Sequence, residues 1–215
     1  MARAAAATKA DAGRVPRGTR TMPEQGKLFT AITPLPDGLA YRTDFLAPEE
    51  EAELLESIRA LPLEEARYKA WRARRRVVSY GGQYDFDRNE LLPAAEPVPA
   101  FLEPLRERVS AWTRISAVDF SYALIAEYRP GTQLGWHRDV PSFEHVAGVS
   151  LGGPARMRFR PYPPRPGGRT AFALELEPRA AYALTGGARW GWQHAISPTK
   201  ALRYSITFRT LRAES

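Results

Sequence analysis

The sequence predicts a mainly β chain of the α+β class: a jelly roll or similar closed sandwich, preceded by an N-terminal extension of helix and hairpin. Two observations carry this expectation. From Phe120 onward the chain consists of short alternating or β-branched runs, punctuated by glycine pairs at 152/153, 167/168 and 186/187, the pattern of an antiparallel architecture. Ahead of Phe120 lie two stretches with apolar residues at helical spacing. No internal repeat is present, and 215 residues suit one domain large enough to bury its own core.

In chain order, residues 1–27 read as a disordered basic tail, because Arg3, Lys9, Arg14, Arg17, Arg20 and Lys27 face only Asp11 and Glu24 amid Ala, Gly and Pro. The tail has the look of an organelle transit peptide, but it lacks Ser and two prolines interrupt any amphipathic helix. Residues 28–215 are expected to form a single domain, with an N-terminal extension at 28–115 and a β core at 116–212. A helix begins at Pro48, where Glu49, Glu50 and Glu51 complement the dipole of the first turn, and Leu54, Leu55, Ile58 and Leu61 form one stripe. A hairpin is expected over Arg76–Tyr84 with Gly81-Gly82 as its turn. A second helix runs from about Val98 to Thr113, burying Phe101, Leu102, Leu105, Val109 and Trp112. The candidate strands are 120–128, 134–139, 146–151, 156–160, 170–176, 181–185, 192–196 and 202–210. Pro161–Gly168 is a stiff surface loop.

The absence of cysteine excludes disulfides and thiolate metal sites, so a transition metal must be held by His, Asp or Glu, and a reducing cytoplasm is the natural setting. No apolar run reaches a membrane span, and no secretory leader is evident. A net charge of +7 favours a polyanionic partner.

His137 and Asp139 stand two residues apart in GWHRDV, so on an extended strand both point to one face. His194, in a later strand, can supply a third ligand. Two imidazoles and one carboxylate leave open positions, the arrangement of non-haem Fe(II) oxygenases. On these three residues alone, a chance H-x-D with an ordinary strand histidine stands as the alternative, and His145 competes as a ligand. The closing strand favours the metal reading. Arg203, Ser205, Thr207 and Arg209 share one face, and Tyr204, Ile206 and Phe208 share the other. Two guanidinium groups directed into one space need anions, and a dicarboxylate satisfies both; the alternative leaves both arginines exposed on an edge strand.

EYRPGTQLGWHRD, VSLGGPARMRFR, GWQHAISP and RYSITFR, spread over about Arg76 to Arg209, together resemble the AlkB-like Fe(II)- and 2-oxoglutarate-dependent dioxygenases. The resemblance implies a double-stranded β-helix core. It also implies iron ligands at His137, Asp139 and His194, and 2-oxoglutarate contacts at Arg203, Arg209 and Tyr128. Two positions depart from the family: Ala126 stands where an asparagine touches the cosubstrate, and Pro141 where some members carry an acidic base contact. The implied reaction consumes 2-oxoglutarate and O2 and dealkylates N-alkylated bases of DNA or RNA, of the 1-methyladenine and 3-methylcytosine type, releasing succinate, CO2 and an aldehyde. The base must be single-stranded or flipped. A protein or small-molecule substrate is the alternative within the same chemistry.

Arg67, Lys69, Arg72, Arg74, Arg75 and Arg76 concentrate cations near Trp71, Tyr80 and Tyr84, which suggests a lid that grips phosphates and bases. Arg74, Arg75, Arg76, Tyr80, Tyr84, Trp71 and Trp136 are therefore the expected substrate-binding residues, in an enzyme acting as a monomer.

Overall fold

The alternating runs after Phe120 form strands in the computed structural model, which describes residues 35–68, 71–85, 90–93, 96–164, 167 and 170–213, all within the unit Thr33–Ser215. The basic tail expected at 1–27 lies outside them. In chain order the described elements are β1 (Leu39–Arg42), α1 (Pro48–Arg59), β2 (Glu64–Tyr68), β3 (Trp71–Tyr80), β4 (Gly82–Asp85), β5 (Glu90–Pro93), α2 (Glu103–Thr113), β6 (Tyr122–Tyr128), β7 (Leu134–His137), β8 (Phe143–Gly152), β9 (Ala155–Pro161), β10 (Phe172–Leu176), β11 (Ala181–Leu184), α3 (Gly186–Trp190), β12 (Trp192–Ile196) and β13 (Arg203–Leu211).

A seven-stranded sheet runs β1-β11-β8-β13-β6-β3-β2, and a four-stranded sheet runs β10-β9-β12-β7. The pairs are antiparallel, and the two sheets form the predicted jelly-roll sandwich. Alternation along the strands of the larger sheet divides the core in two. On one face, Ile125, Val149, Leu151, Tyr204, Ile206 and Phe208 pack with Leu54 and Ile58 of α1 and Leu105 and Val109 of α2. On the other, Ala126, Tyr128, Val146, Tyr182 and Leu184 meet Met157, Phe159, Leu176 and Ile196 of the smaller sheet. The helices thus cover one side of the large sheet and leave the other to the pocket.

The acidic first turn of α1 also makes tertiary contacts. Glu50 Oε2 accepts from the Ala47 amide at 2.8 Å and pairs with Arg108 of α2, while Glu51 Oε1 accepts from the Gly152 amide at 2.8 Å. The helix end is thereby tied to both α2 and the end of β8.

Four expectations change. Gly81-Gly82 is not a hairpin turn: β3 pairs with β2 and β6, and β4 pairs with β5. Gly81 instead takes the chain out of the large sheet at φ +77°, with its α-carbon so close to the Ser121 carbonyl that a Cβ would stand 1.9 Å from it. The second helix begins in a 3-10 turn at Ala100–Leu102 and becomes α-helical only from Glu103, since Pro99 and Pro104 lack amide donors. The strand expected over 134–139 ends at His137. Finally, the glycine pair at 186/187, expected to punctuate strand runs, opens the short helix α3.

Ile58 is 0% exposed where α1 meets the sheet. Ile58→Ala should cost about 2–5 kcal/mol of stability by loss of burial plus a cavity; urea unfolding with a loss under about 1 kcal/mol would contradict this docking of α1.

Candidate metal centre

The three residues read from the sequence converge. His137 and His194 face each other directly across β7 and β12, with ring centroids 4.2 Å apart at 62°. The His137 Nδ1–H donates to the Gly135 carbonyl at 2.9 Å, which leaves Nε2 with a free lone pair. Asp139 Oδ2 lies 3.7 Å from His194 Nε2. One ligand atom from each of His137, Asp139 and His194 can be chosen so that all lie within 4.8 Å of one another, and no other such cluster exists among the described residues. His145, the competing ligand, sits on β8 and is not part of the cluster.

Asp139 has left the strand, so its position depends on tertiary contacts. The buried Arg189 of α3 gathers the carbonyls of Asp139, Val140 and Phe143 with one nitrogen, at 3.1, 2.8 and 2.8 Å. Arg209 Nε donates to Asp139 Oδ1 at 2.9 Å. Nothing in the local pattern of TGGARWGWQH marks Arg189 as a partner of residues 46–50 positions earlier.

Electrostatics favour the ligand forms of all three groups. Burial, then the neighbouring His137, pushes the His194 pKa down to about 3, and burial lowers His137 as well, so both imidazoles are neutral. Burial opposes ionisation of Asp139, but the Arg209 guanidinium foremost outweighs it and holds the carboxyl below its ordinary range.

Beside the triad lies a pocket lined by Arg75, Tyr128, Tyr182, Arg203, Ser205 and Arg209 among others. Arg203 is 1% exposed; its Nε donates to Ser150 Oγ at 2.9 Å, its guanidinium carbon stands 4.9 Å from the centre of the Tyr128 ring, and its Nη1 has no partner. Arg75 Nη1 reaches the Tyr128 hydroxyl at 3.5 Å while its Nε is also unpartnered. Burial raises the Tyr128 pKa, but Arg75 and Arg203 overcome that and leave it lowered. Three guanidinium groups here meet one carboxylate, and unsatisfied buried donors remain. An anionic ligand with two carboxylates fits that surplus, and a divalent ion that prefers N and O donors fits the triad.

The lid residues separate. β3 alternates, so consecutive arginines cannot share a face. Arg75 enters the pocket and Arg74 is exposed, but Arg76 is held by Glu127 at 3.2 Å and by the Leu63 carbonyl at 2.7 Å. Tyr80, 5% exposed, packs in the helix-covered core and is not presented to substrate. Trp136 alternates away from His137, under the guanidinium groups of Arg158 and Arg160 at 5.0 and 4.5 Å, outside the pocket lining. The side chains of Trp71 and Tyr84 lie outside the described residues. Ala126 lines the pocket opposite Ser205, and Pro141 is exposed.

Residues 38–209 match the family model of the 2OG-Fe(II) oxygenase superfamily. The alkylated DNA repair protein ALKBH8 homolog of Arabidopsis thaliana is 29% identical over 74% of this chain and 50% of its own length. An uncharacterized mimivirus protein, L905 of Acanthamoeba polyphaga mimivirus, is 26% identical over 83% and 87% of the two chains. The tRNA (carboxymethyluridine(34)-5-O)-methyltransferase alkbh8 of Xenopus tropicalis is 31% identical over 77% of this chain but only 26% of itself. The chain thus spans about half of the Arabidopsis relative and a quarter of the Xenopus one. The solved structure of OsALKBH1 superposes with a TM-score of 0.60 at 15% identity, covering 80% of this chain and 96% of that one, and so shares the fold.

The histidine shifts set a pH dependence. The unfolded chain takes a proton on His194 below about 6.5, and the folded protein refuses it down to about 3. Metal-free protein therefore loses stability as pH falls through that window, by up to about 1.4 kcal/mol per pH unit for this group. Melting at pH 7.5 and 5.5 should show a larger drop for the parent than for His194→Gln; equal drops would contradict a neutral, buried His194.

Proposed function

Because this chain belongs to the 2OG-Fe(II) oxygenase superfamily and has an AlkB-like fold, we propose that it oxidatively dealkylates N-alkylated bases in DNA or RNA, of the 1-methyladenine and 3-methylcytosine type. The observation that carries the chemistry is the neutral-imidazole and carboxylate triad beside a pocket of partly unsatisfied arginines. His137, Asp139 and His194 would hold Fe(II). Arg203 would take the distal carboxylate of 2-oxoglutarate, with Tyr128 beside it and Arg209 near the end that meets the metal.

When bound, Fe(II) with 2-oxoglutarate and O2 supplies the oxidant that hydroxylates an alkyl C–H, with succinate and CO2 as co-products and an aldehyde released from the hydroxylated group. The protein's own work is positioning. Arg209 orients Asp139 and keeps it ionised; Arg189 fixes the backbone on which Asp139 is carried. The Gly135 carbonyl selects the His137 tautomer.

Two observations support nucleic acid as the substrate. The Arabidopsis relative is named for alkylated DNA repair and the Xenopus relative for tRNA methylation, so both names involve nucleic acid. In this chain, β3 brings the exposed Arg74 beside the strand position that feeds Arg75 into the pocket. Among the described side chains of the basic run, Arg74 is exposed and available for a phosphate, whereas Arg76 is committed to Glu127.

Arg203→Lys should weaken 2-oxoglutarate binding by about 10- to 150-fold despite keeping the charge, because an ammonium cannot reproduce the fork; unchanged affinity by titration would remove Arg203 from this role. Arg74→Ala should lower the slope of log K against log salt for single-stranded oligonucleotide by about 0.7. In a panel of methylated oligonucleotides, peptides and metabolites, 2-oxoglutarate turnover should be coupled to the oligonucleotides. Coupling to peptides or metabolites alone, with an unaltered salt slope, would transfer the chemistry to a protein or small-molecule substrate.

A further inference from the structure

One buried phenol in the pocket has no role in the reading above. Tyr182 on β11 stands directly opposite Gly148 of β8. A Cβ at Gly148 would lie 2.3 Å from Cζ, 2.4 Å from Cε1 and 2.5 Å from the hydroxyl oxygen of Tyr182. The ring therefore lies across β8, in space that only glycine leaves open, and its hydroxyl is delivered toward β13. There it shares the pocket with Arg203 and the metal triad.

The hydroxyl forms no hydrogen bond among the described residues, although the side chain is buried. A phenylalanine would fill the same volume, so packing alone does not call for a hydroxyl in this pocket wall. Of the charged groups that act on it, Arg203 is foremost, followed by Asp139. Arg203 itself keeps Nη1 unpartnered. A phenol O–H that lines the pocket and a buried guanidinium N–H thus stand together with no acceptor of their own among the described residues. Burial pushes the Tyr182 pKa up to about 12, so the phenol stays protonated and can only donate toward an anion. Tyr128, on the other side of Arg203, is already engaged by Arg75.

We propose that Tyr182 is a cosubstrate-binding residue whose phenol donates a hydrogen bond to the 2-oxoglutarate carboxylate held by Arg203, with Gly148 keeping the space its ring needs. The proposal rests on the cosubstrate reading above. It gives this pocket a donor from β11 in addition to the arginines of β13 and β3.

Tyr182→Phe keeps the ring over Gly148 and removes only the O–H. Titration of 2-oxoglutarate into Mn(II)-loaded protein should show the dissociation constant rising about tenfold or more, as for a hydrogen bond to a charged group. Mn(II) affinity without 2-oxoglutarate and the melting temperature of the metal-free protein should match the parent. Pyruvate, which keeps the 2-oxo acid and lacks the second carboxylate, should bind parent and variant alike. Parent-like 2-oxoglutarate affinity in Tyr182→Phe would overturn this proposal alone, as would an equal loss for pyruvate or a loss confined to Mn(II). A parent that binds no 2-oxoglutarate would overturn the cosubstrate reading, and this proposal with it.

Discussion

The 2.9 Å bond from Arg209 Nε to Asp139 Oδ1 is the contact on which the site depends, because it joins the two layers of the sandwich at the candidate metal centre. Arg209 belongs to β13 in the large sheet, and Asp139 follows β7 in the small one. Asp139 has no strand neighbours to fix it, so its carboxylate is placed by this arginine and its backbone by Arg189. The same arginine does the most to keep the buried carboxyl ionised against desolvation. Geometry and charge state of this carboxylate thus share one cause.

The pocket is organised around excess positive charge. Burying a guanidinium as fully as Arg203 is costly unless it is matched by an anion or hydrogen-bonded throughout, and here one nitrogen is left over. Ser150, the Tyr128 ring and the nearby phenols orient the group without neutralising it. A site of this kind is set up for a ligand that arrives with its own negative charges. The unsatisfied donors are then a binding feature, and the surrounding apolar sandwich bears their cost when no ligand is present.

The N-terminal extension reaches the site by lengthening the sheet. β3 pairs with β6 so that Arg76 stands opposite Glu127, which also accepts from Arg129 at 3.0 Å and from the Tyr204 hydroxyl at 3.1 Å. This buried carboxylate pins one face of β3. The other face then directs Arg75 at Tyr128 and the metal pocket. The exposed Arg74 and the pocket-lining Arg75 are thus neighbours on a single strand.

Much of this was legible in the sequence where a local rule governs. The period of two along RYSITFR sorted Arg203 and Arg209 from Tyr204, Ile206 and Phe208, and the observed faces follow that sorting. His137, Asp139 and His194 were identifiable as a candidate metal site because few residue types bind a transition metal without cysteine and the chain offers three histidines. The acidic start of α1 was equally plain. What the sequence left undecided were pairings across distance. The Gly81-Gly82 pair looks like a hairpin turn, yet the partner of β3 is β6, which lies more than forty residues away in the chain. Three consecutive arginines look alike until strand register assigns Arg75 to the pocket and Arg76 to Glu127. Arg189 and Tyr182 carry no local signature, since their roles come from carbonyls and a glycine brought to them by the fold. Residue chemistry and periodicity are properties of short segments, so the sequence alone determined the candidate ligands, the faces and the class of fold. Register between strands far apart in the chain is set by packing of the whole sandwich, and only the tertiary structure could decide which buried donors meet, and which are left for a ligand.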